Sequence, residues 1–491
     1  MTLSIRSSRW IALGAVLSIA AGAGAQDWPQ WRGPNRDGKT TGFRAPATWP
    51  AALTKKWDVT VGSGVSNPSL VGDRLYVIAR EGEEEVLRCM NAATGAEIWK
   101  KSYASDPATG SGSGRGLFVG PRSTPTIANG RVVTLGVAGI LSCFDATSGD
   151  LKWRKDELVG QQNVPSFFTS SSPIVVDGLC IAQLGPGAGG GRGRRGGGDA
   201  APPPAPRGGL IAFDLATGDE KWRAPSASPA YASPVLMTID GMKVAIAMSE
   251  NNLVAVNVAD GKVVWQLPHR QGNYNAVTPI VDGQTLIFAG PGSGLTAVKL
   301  SKEGDALEEQ ELWRYTENNL IFNTPVLKDG ALYGLSTEDQ LFCVNAEHGT
   351  GWTAPIVPAV AALFPTQPQT VFGQQAEAGG QREGGGEMRG QGEGRGQREG
   401  RGGPGRRGRG PGRVTGGGER AGYGSIVDAG SVLMALTPGG HFVVFQPKAD
   451  SYTEVARYKV SEEGECYSHP IASGNRIYTK DRDSVTMWTV E

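Results

Sequence analysis

The feature that most constrains the fold is a short unit that recurs along the chain with a glycine and a tryptophan four residues apart. Close copies lie at 91–99, 145–153, 214–222 and 257–265, and looser copies at 299–313 and 345–352. One such unit is too small to bury its own apolar face, so several must stack around a shared core. Seven tryptophans occupy the repeated position: Trp57, Trp99, Trp153, Trp222, Trp265, Trp313 and Trp352.

Each unit contains four segments of strand length. An apolar run rich in β-branched and aromatic residues precedes the repeated turn, as in RLYVIAR from residue 74. Before that run stands a small polar residue or a histidine followed by proline, which suits the start of a strand because proline lacks an N–H donor. These dipeptides are Asn67-Pro68, Thr124-Pro125, Ser172-Pro173, Ser233-Pro234, Thr278-Pro279, Thr324-Pro325 and His469-Pro470.

The number of units predicts an all-β fold, an eight-bladed β-propeller of four-stranded blades over residues 53–491. Six complete units precede a degenerate one near 423–460, in which Tyr458 takes the tryptophan position. Residues 467–491 supply only three strands, and residues 53–60 supply an isolated fourth. We expect the N- and C-terminal strands to pair, because closing the ring removes the exposed sheet edges of an open array.

The strand ending in Asp or Asn, the Thr-Gly turn and the following tryptophan resemble the pyrrolo-quinoline quinone (PQQ) repeat. The resemblance covers nearly all of residues 53–491 except two insertions. The family includes eight-bladed quinoprotein dehydrogenases and the cofactor-free propeller BamB of the outer-membrane assembly machinery. The resemblance implies that the seven tryptophans dock between neighbouring blades. Residues 27–38, DWPQWRGPNRDG, resemble the start of many secreted propellers of this type, and we predict that residues 26–52 form a strap packed across a blade.

Residues 1–25 have the composition of a secretory signal peptide. Arg6 and Arg9 precede a short apolar run, and small residues lead to a predicted cleavage site after Ala25. A transmembrane anchor is the alternative, but the run is shorter than the roughly 20 residues that a bilayer requires. We expect an exported protein, periplasmic or secreted, with no other membrane-spanning segment. No cysteine precedes Cys89, so a lipid-anchoring cysteine near the cleavage site is not expected.

Two insertions account for much of the unusual composition. Residues 185–209 are rich in Gly, Arg and Pro, and residues 373–420 are rich in Arg and Gly, so both are predicted to be disordered. Both carry net positive charge although the whole chain has none. They are either solvated loops without a partner or contacts for anionic envelope polymers and lipid headgroups. Export makes nucleic acid an unexpected partner.

The sequence contains no pattern that identifies a catalytic centre. Quinoprotein dehydrogenases combine a quinone, calcium, an aspartate base and, in many members, two adjacent cysteines. This chain has no adjacent cysteines and no loop dense in Asp and Asn of the kind that binds calcium. Its four histidines lack metal-ligand spacing. We therefore predict no catalytic or metal-binding residues and no cofactor, with PQQ and calcium as the alternative.

The remaining candidate site is the funnel at one end of the ring, where the loops that enter each blade converge. Aromatic and amide side chains on these loops suit peptides, sugars or quinones, although the same groups also satisfy loop backbones. We predict a non-catalytic, monomeric scaffold that binds an envelope protein or polymer through this face. The alternative is a PQQ-dependent dehydrogenase that oxidises an alcohol or a sugar. The candidate funnel residues are Arg122, Asn163, Tyr231, Asn275, Asn323, Tyr467 and His469.

Overall fold

Each sequence unit folds as a four-stranded antiparallel sheet, and its strands lie side by side in chain order. The computed structural model describes residues 27–105, 120–156, 164–165, 168–186, 208–269, 275–290, 294–356 and 421–491. The predicted leader, most of the first insertion and all of the second lie outside these ranges. The residues just before the first strand of a blade form hydrogen bonds with the neighbouring blades. These contacts place the first strand of each blade on the inside of the ring.

The first four blades each consist of four consecutive strands of the chain. Blade 1 has β2 (Ser69–Val71), β3 (Arg74–Glu81), β4 (Glu84–Asn91) and β5 (Glu97–Ala104). Blade 2 has β6 (Thr126–Ala128), β7 (Arg131–Leu135), β8 (Leu141–Asp145) and β9 (Leu151–Lys155). Blade 3 has β10 (Ile174–Val176), β11 (Leu179–Leu184), β12 (Gly209–Asp214) and β13 (Glu220–Ala224). Blade 4 has β14 (Val235–Ile239), β15 (Met242–Met248), β16 (Asn252–Asn257) and β17 (Val263–Pro268).

The last four blades include the degenerate unit and the closing sheet. Blade 5 has β18 (Ile280–Asp282), β19 (Thr285–Gly290), β20 (Gly294–Glu303) and β21 (Ala306–Tyr315). Blade 6 has β22 (Val326–Lys328), β23 (Ala331–Leu335), β24 (Gln340–Asn345) and β25 (Gly351–Pro355). A 3-10 turn (Ala421–Tyr423) precedes blade 7, which has β26 (Ser425–Asp428), β27 (Leu433–Leu436), β28 (His441–Phe445) and β29 (Glu454–Lys459). Blade 8 has β30 (Ile471–Ser473), β31 (Arg476–Lys480), β32 (Ser484–Thr489) and β1 (Thr54–Thr60).

Blade 8 closes the ring with strands from both ends of the chain. Strand β1 pairs antiparallel with β32, so that Thr54 lies opposite Thr489 and Thr60 lies opposite Ser484. This pairing confirms the prediction of an eight-bladed propeller closed by its terminal strands. The described sheets number eight, with four strands in each.

The repeated glycine and tryptophan meet across blade boundaries. The indole Nε1 of Trp153 donates a hydrogen bond to the Leu215 carbonyl of the next blade at 2.9 Å. Gly218 in the same turn has a φ of 80°, and a Cβ there would lie 2.7 Å from Trp153. Only glycine suits both the left-handed backbone and this close approach. Trp222 makes the equivalent hydrogen bond to Val258 at 2.9 Å.

Blade 7 carries tyrosine instead of tryptophan because its neighbour has no equivalent turn. Blade 8 takes its outer strand from the beginning of the chain, so no turn joins its third and fourth strands. The Tyr458 hydroxyl instead donates to the carbonyl of Pro50 at 2.7 Å, and the ring of Trp49 packs 6.3 Å away. The residues just before β1 therefore replace the missing turn.

A belt of hydrogen bonds follows the central channel at the level of the pre-proline residues. In blades 2 to 5 the backbone N–H of this residue donates to the side-chain hydroxyl of its counterpart in the next blade, at 2.9 to 3.1 Å. The belt joins blades 2 to 6 through Thr124, Ser172, Ser233, Thr278 and Thr324. Between blades 8 and 1, the N–H of His469 donates to Asn67 Oδ1 at 2.6 Å. The small polar residue before each proline thus connects neighbouring blades.

Candidate functional site

The segment after the predicted leader enters the central channel. We call residues 27–40 the plug, the end of the channel at the pre-proline residues the mouth, and the opposite end the turn face. At the turn face, Asp27 accepts a hydrogen bond from the N–H of Gly72, and the N–H of Thr40 donates to the Asp428 carbonyl at 2.8 Å. The intervening residues rise to the mouth and return. The segment thus contacts the inner strands of several blades.

Two arginines hold the tip of the plug across the channel. Arg32 donates to the carbonyls of Thr324 and Pro325 in blade 6, at 2.6 and 2.7 Å. Arg36 donates to the carbonyls of Ser172 and Pro173 in blade 3, at 2.9 and 2.8 Å. Each guanidinium fork therefore binds the two carbonyls of one pre-proline and proline pair. This geometry explains why the segment lies in the channel, since a forked donor matches two adjacent acceptors.

Trp31 forms the floor of the mouth between these two arginines. The Cζ atoms of Arg32 and Arg36 lie 5.6 and 5.8 Å from its ring centroid, within cation–π range. The ring of His469 meets Trp31 edge-on at 5.6 Å. Trp31 is half-buried, whereas both guanidinium groups and His469 are buried. The plug therefore makes the mouth a cup that is closed by an aromatic side chain.

The wall of the mouth beside blades 6 to 8 is aromatic. Phe322 and Tyr423 have ring centroids 4.3 Å apart, and Tyr423 and Tyr467 have centroids 6.1 Å apart. All three side chains are half-buried. The sequence prediction included Tyr467 but missed Tyr423 and Trp31. Tyr423 lies just before the first strand of blade 7, in the degenerate unit. This unit lacks the proline that marks the start of the first strand in the other blades.

The wall beside blades 2 to 4 carries a cation. The guanidinium of Arg122 lies 5.6 Å from the ring centroid of Phe168, and burial lowers the pKa of Arg122 to about 10. Tyr231 is half-buried on the loop that enters blade 4, and its backbone N–H donates to the Asn275 carbonyl at 3.1 Å. Asn163, the remaining predicted funnel residue, lies outside the described residues.

Of the three predicted asparagines, the two that the structure describes are buried beneath the loops and hydrogen-bond to backbone groups. Asn323 Nδ2 donates to the Gly424 carbonyl at 2.9 Å, and its Oδ1 accepts from the N–H of Leu335. Asn275 Nδ2 donates to the Ser249 carbonyl. Asn275 is 3% exposed and Asn323 is 1% exposed, so they hold the mouth loops in place from below. Their participation in ligand binding stays a prediction.

A calcium–quinone pair requires oxygen ligands for the metal and space for the ring. In the ranges that the structure describes, no group of three or more His, Cys, Asp or Glu residues is placed to hold a metal ion. The amide groups of Asn275 and Asn323 are occupied by backbone groups. The described donor set therefore does not fit calcium, whereas Trp31 offers a flat surface that a planar ligand could stack on.

No helix in the described ranges is long and apolar enough to cross a membrane.

His469 provides a pH-dependent contribution to stability. Burial, with a smaller effect of the nearby Arg32 charge, lowers the pKa of His469 to about 3. Below about pH 6.5 the unfolded chain binds a proton that the folded protein rejects, so the free energy of unfolding falls as the pH decreases. Between pH 7.5 and 5 this loss should be about 2 kcal/mol. Denaturant unfolding at both pH values should show that His469→Gln removes most of the loss.

The matched control for this prediction is His348→Gln, which changes an exposed histidine in a turn of blade 6. This variant should keep the pH dependence of the original protein. Equal slopes of stability against pH for the original protein and His469→Gln would contradict the assignment to His469.

The closed ring, with its tryptophan–glycine contacts between blades, defines an eight-bladed propeller of the PQQ-repeat type. The family model described as outer membrane protein assembly factor BamB matches the chain twice, at residues 14–202 and 189–378. These matches span most of the chain, and the protein belongs to this family.

Individual relatives are distant in sequence. The chain is 23% identical over 360 residues to the outer membrane protein assembly factor BamB of Burkholderia pseudomallei strain K96243, a match that covers 65% of this chain and 86% of the relative. The crystal structure of BamB from Moraxella catarrhalis gives a TM-score of 0.52 at 12% identity, covering 89% of this chain and 98% of that one. Quinohemoprotein alcohol dehydrogenase ADHIIG from Pseudomonas putida HK5 gives 0.58 at 12% identity, covering 94% and 80%. At these identities the structural similarity shows the fold alone.

Proposed function

We propose that this protein is an exported, non-catalytic scaffold of the cell envelope that binds a partner protein through the mouth of the propeller. The observation that carries this proposal is the closed cup formed by Trp31 and the aromatic wall. Half-buried aromatic side chains on a fixed frame are typical anchors of protein interfaces, because they bury large apolar areas and lose little conformational entropy. The predicted leader would place the protein in the periplasm or outside the cell.

The frame below the aromatic wall supports this function. The belt of pre-proline hydroxyl groups and the buried Asn323 hold the loops that carry Phe322 and Tyr423. A preformed surface binds with a smaller ordering cost than a flexible one. The family name of the relatives suggests the biological setting, which is the assembly of outer-membrane proteins.

The experiment is a complementation assay in the organism that makes the protein. Removing the gene should lower the amount of assembled outer-membrane proteins, and the original gene should restore it. The double variant Tyr423→Ser/Tyr467→Ser should restore much less, because it removes two anchors of the aromatic wall. The control Leu151→Ser changes a side chain that is 49% exposed on an outer strand and should restore the original level.

Two results would contradict this function: unchanged outer-membrane proteins after gene removal, or full complementation by the double variant. Thermal unfolding of the purified variants should accompany the assay. A double variant that unfolds at the same temperature as the original protein ties any loss of complementation to the mouth surface.

The second candidate is a PQQ-dependent dehydrogenase acting on an alcohol or a sugar. The observation in its favour is the flat floor of the mouth, where Trp31 could support a planar quinone that would supply the redox chemistry. Purified protein should then show a saturable absorbance change with PQQ and calcium, and should reduce a dye when substrate is added. A flat titration and no dye reduction would exclude this candidate.

A further inference from the structure

The tip of the plug carries two buried positive charges whose hydrogen-bond partners are neutral. Arg32 and Arg36 donate to backbone carbonyls, and Arg36 also donates to the Gln30 side-chain oxygen at 3.1 Å. Neither forms an ion pair with a described residue. Arg36 Nε is buried and has no hydrogen-bond acceptor within the same ranges. The plug thus places two cationic groups at the base of the mouth without a directly paired carboxylate.

Both groups stay charged at neutral pH. Burial lowers the pKa of Arg36 to about 9 and that of Arg32 to about 10, and the Asp37 charge partly offsets the effect on Arg32. A charge inside a protein is screened less than one in water, and a concave site with one opening focuses its field toward that opening. Arg32 and Arg36 therefore contribute a positive field at the base of the mouth.

A third cation lies nearer to solvent on the same side of the mouth as Arg36. Arg36 binds the residues that begin the inner strand of blade 3, and Phe168 lies on the loop that leads into this strand. Arg122 contacts Phe168 and is itself half-buried. A ligand in the mouth would thus meet the half-buried ring of Trp31 below and the Arg122 guanidinium at the side.

We propose that the mouth binds a ligand that bears a carboxylate on an apolar or aromatic frame. The frame rests on Trp31, and the carboxylate contacts Arg122 within the positive field of Arg32 and Arg36. Planar carboxylates match the guanidinium fork with two parallel hydrogen bonds. This inference rests on the proposed function only for the location of the ligand, and it specifies the chemistry that the partner must present.

The experiment compares indole-3-acetate with indole-3-acetamide, a probe of the same shape in which a neutral amide replaces the carboxylate, by ligand-observed NMR titration of the full chain. Indole-3-acetate should bind at least about tenfold more tightly, and raising NaCl from about 50 to about 500 mM should weaken its binding. Arg122→Gln should reduce the preference to less than about threefold, and Arg122→Lys should keep part of it. The control Arg131→Gln, which changes an arginine paired with Asp145 in blade 2, should keep all of it.

Equal binding of the two probes would overturn the proposal, as would an unchanged preference in a folded Arg122→Gln variant. Displacement of indole-3-acetate by an equal concentration of inorganic phosphate would overturn the assignment to carboxylates, since it would reveal a general anion site. The outcome is distinguishable from that of the complementation assay. A mouth that prefers the carboxylate probe in a protein whose removal leaves outer-membrane proteins unchanged would contradict the proposed function alone.

Discussion

Replacing β1 (Thr54–Thr60) by a seven-residue glycine–serine linker is expected to open the ring and lower the free energy of unfolding by about 5 kcal/mol. The linker removes Trp57, which packs beside Tyr478 and donates to the Ala92 carbonyl of blade 1 at 3.3 Å. It also replaces strand-forming residues with residues that disfavour strands. The expected loss is comparable with the total stability of many domains, about 5 to 15 kcal/mol. Thermal unfolding and light scattering measure the effect.

The opened ring should also self-associate, because β32 would present an unpaired edge. A second variant tests whether the pairing itself is responsible. It keeps the linker and adds the native sequence TKKWDVT after Glu491 through a short turn. This design is feasible because Thr54, the first residue of β1, lies opposite Thr489 near the end of β32. This variant should regain most of the stability and remain monomeric. A linker variant that is monomeric and as heat-stable as the original protein would refute closure by β1.

Arg32→Ala should lower the free energy of unfolding by about 3 to 5 kcal/mol. The substitution leaves the buried carbonyls of Thr324 and Pro325 without their charged donor and leaves a void in the channel. Arg32→Lys should restore less than half of the loss, because an ammonium group cannot reproduce the fork that binds two adjacent carbonyls. Denaturant unfolding at neutral pH measures both effects.

The control for the plug is Arg131→Ala, which breaks a partly exposed ion pair with Asp145 at 3.3 Å. It should cost less than about 1 kcal/mol, as surface ion pairs usually do. If Arg32→Ala costs no more than this control, the plug does not stabilise the ring. If Arg32→Lys is as stable as the original protein, charge alone accounts for the effect of Arg32.

Blade number and ring closure were predictable because they depend on residues that have few substitutes. The contact of Trp153 with Gly218 requires an indole on one blade and a residue without Cβ on the next, so both types recur at a fixed spacing. The missing strand of blade 8 was recognisable because β1 carries Trp57 at the same position. The degenerate blade 7 was recognisable because Tyr458, another large aromatic residue, stands at the tryptophan position of its outer strand.

The path of the plug was not predictable, because its partners have no signature in the sequence. Arg32 binds carbonyls that follow it by 292 and 293 residues, and every residue has a carbonyl. The mouth was predictable only as a group of loops. Residue type could not separate Asn323, which is buried under the backbone, from Tyr467, which reaches the mouth. Whether a loop side chain is buried or reaches the mouth depends on how deeply its loop packs against the blades, and tertiary packing determines that depth.

The location of Asp27 determines which way the molecule faces when it is attached through a group joined just before this residue. Asp27 is exposed beside the Gly72 turn, at the end of the channel away from Trp31. A bead, sensor surface or fusion partner joined just before this residue would face the turns between inner strands. The aromatic cup would then point away from the support and stay open to ligands, whereas an attachment inside the mouth loops would obstruct it.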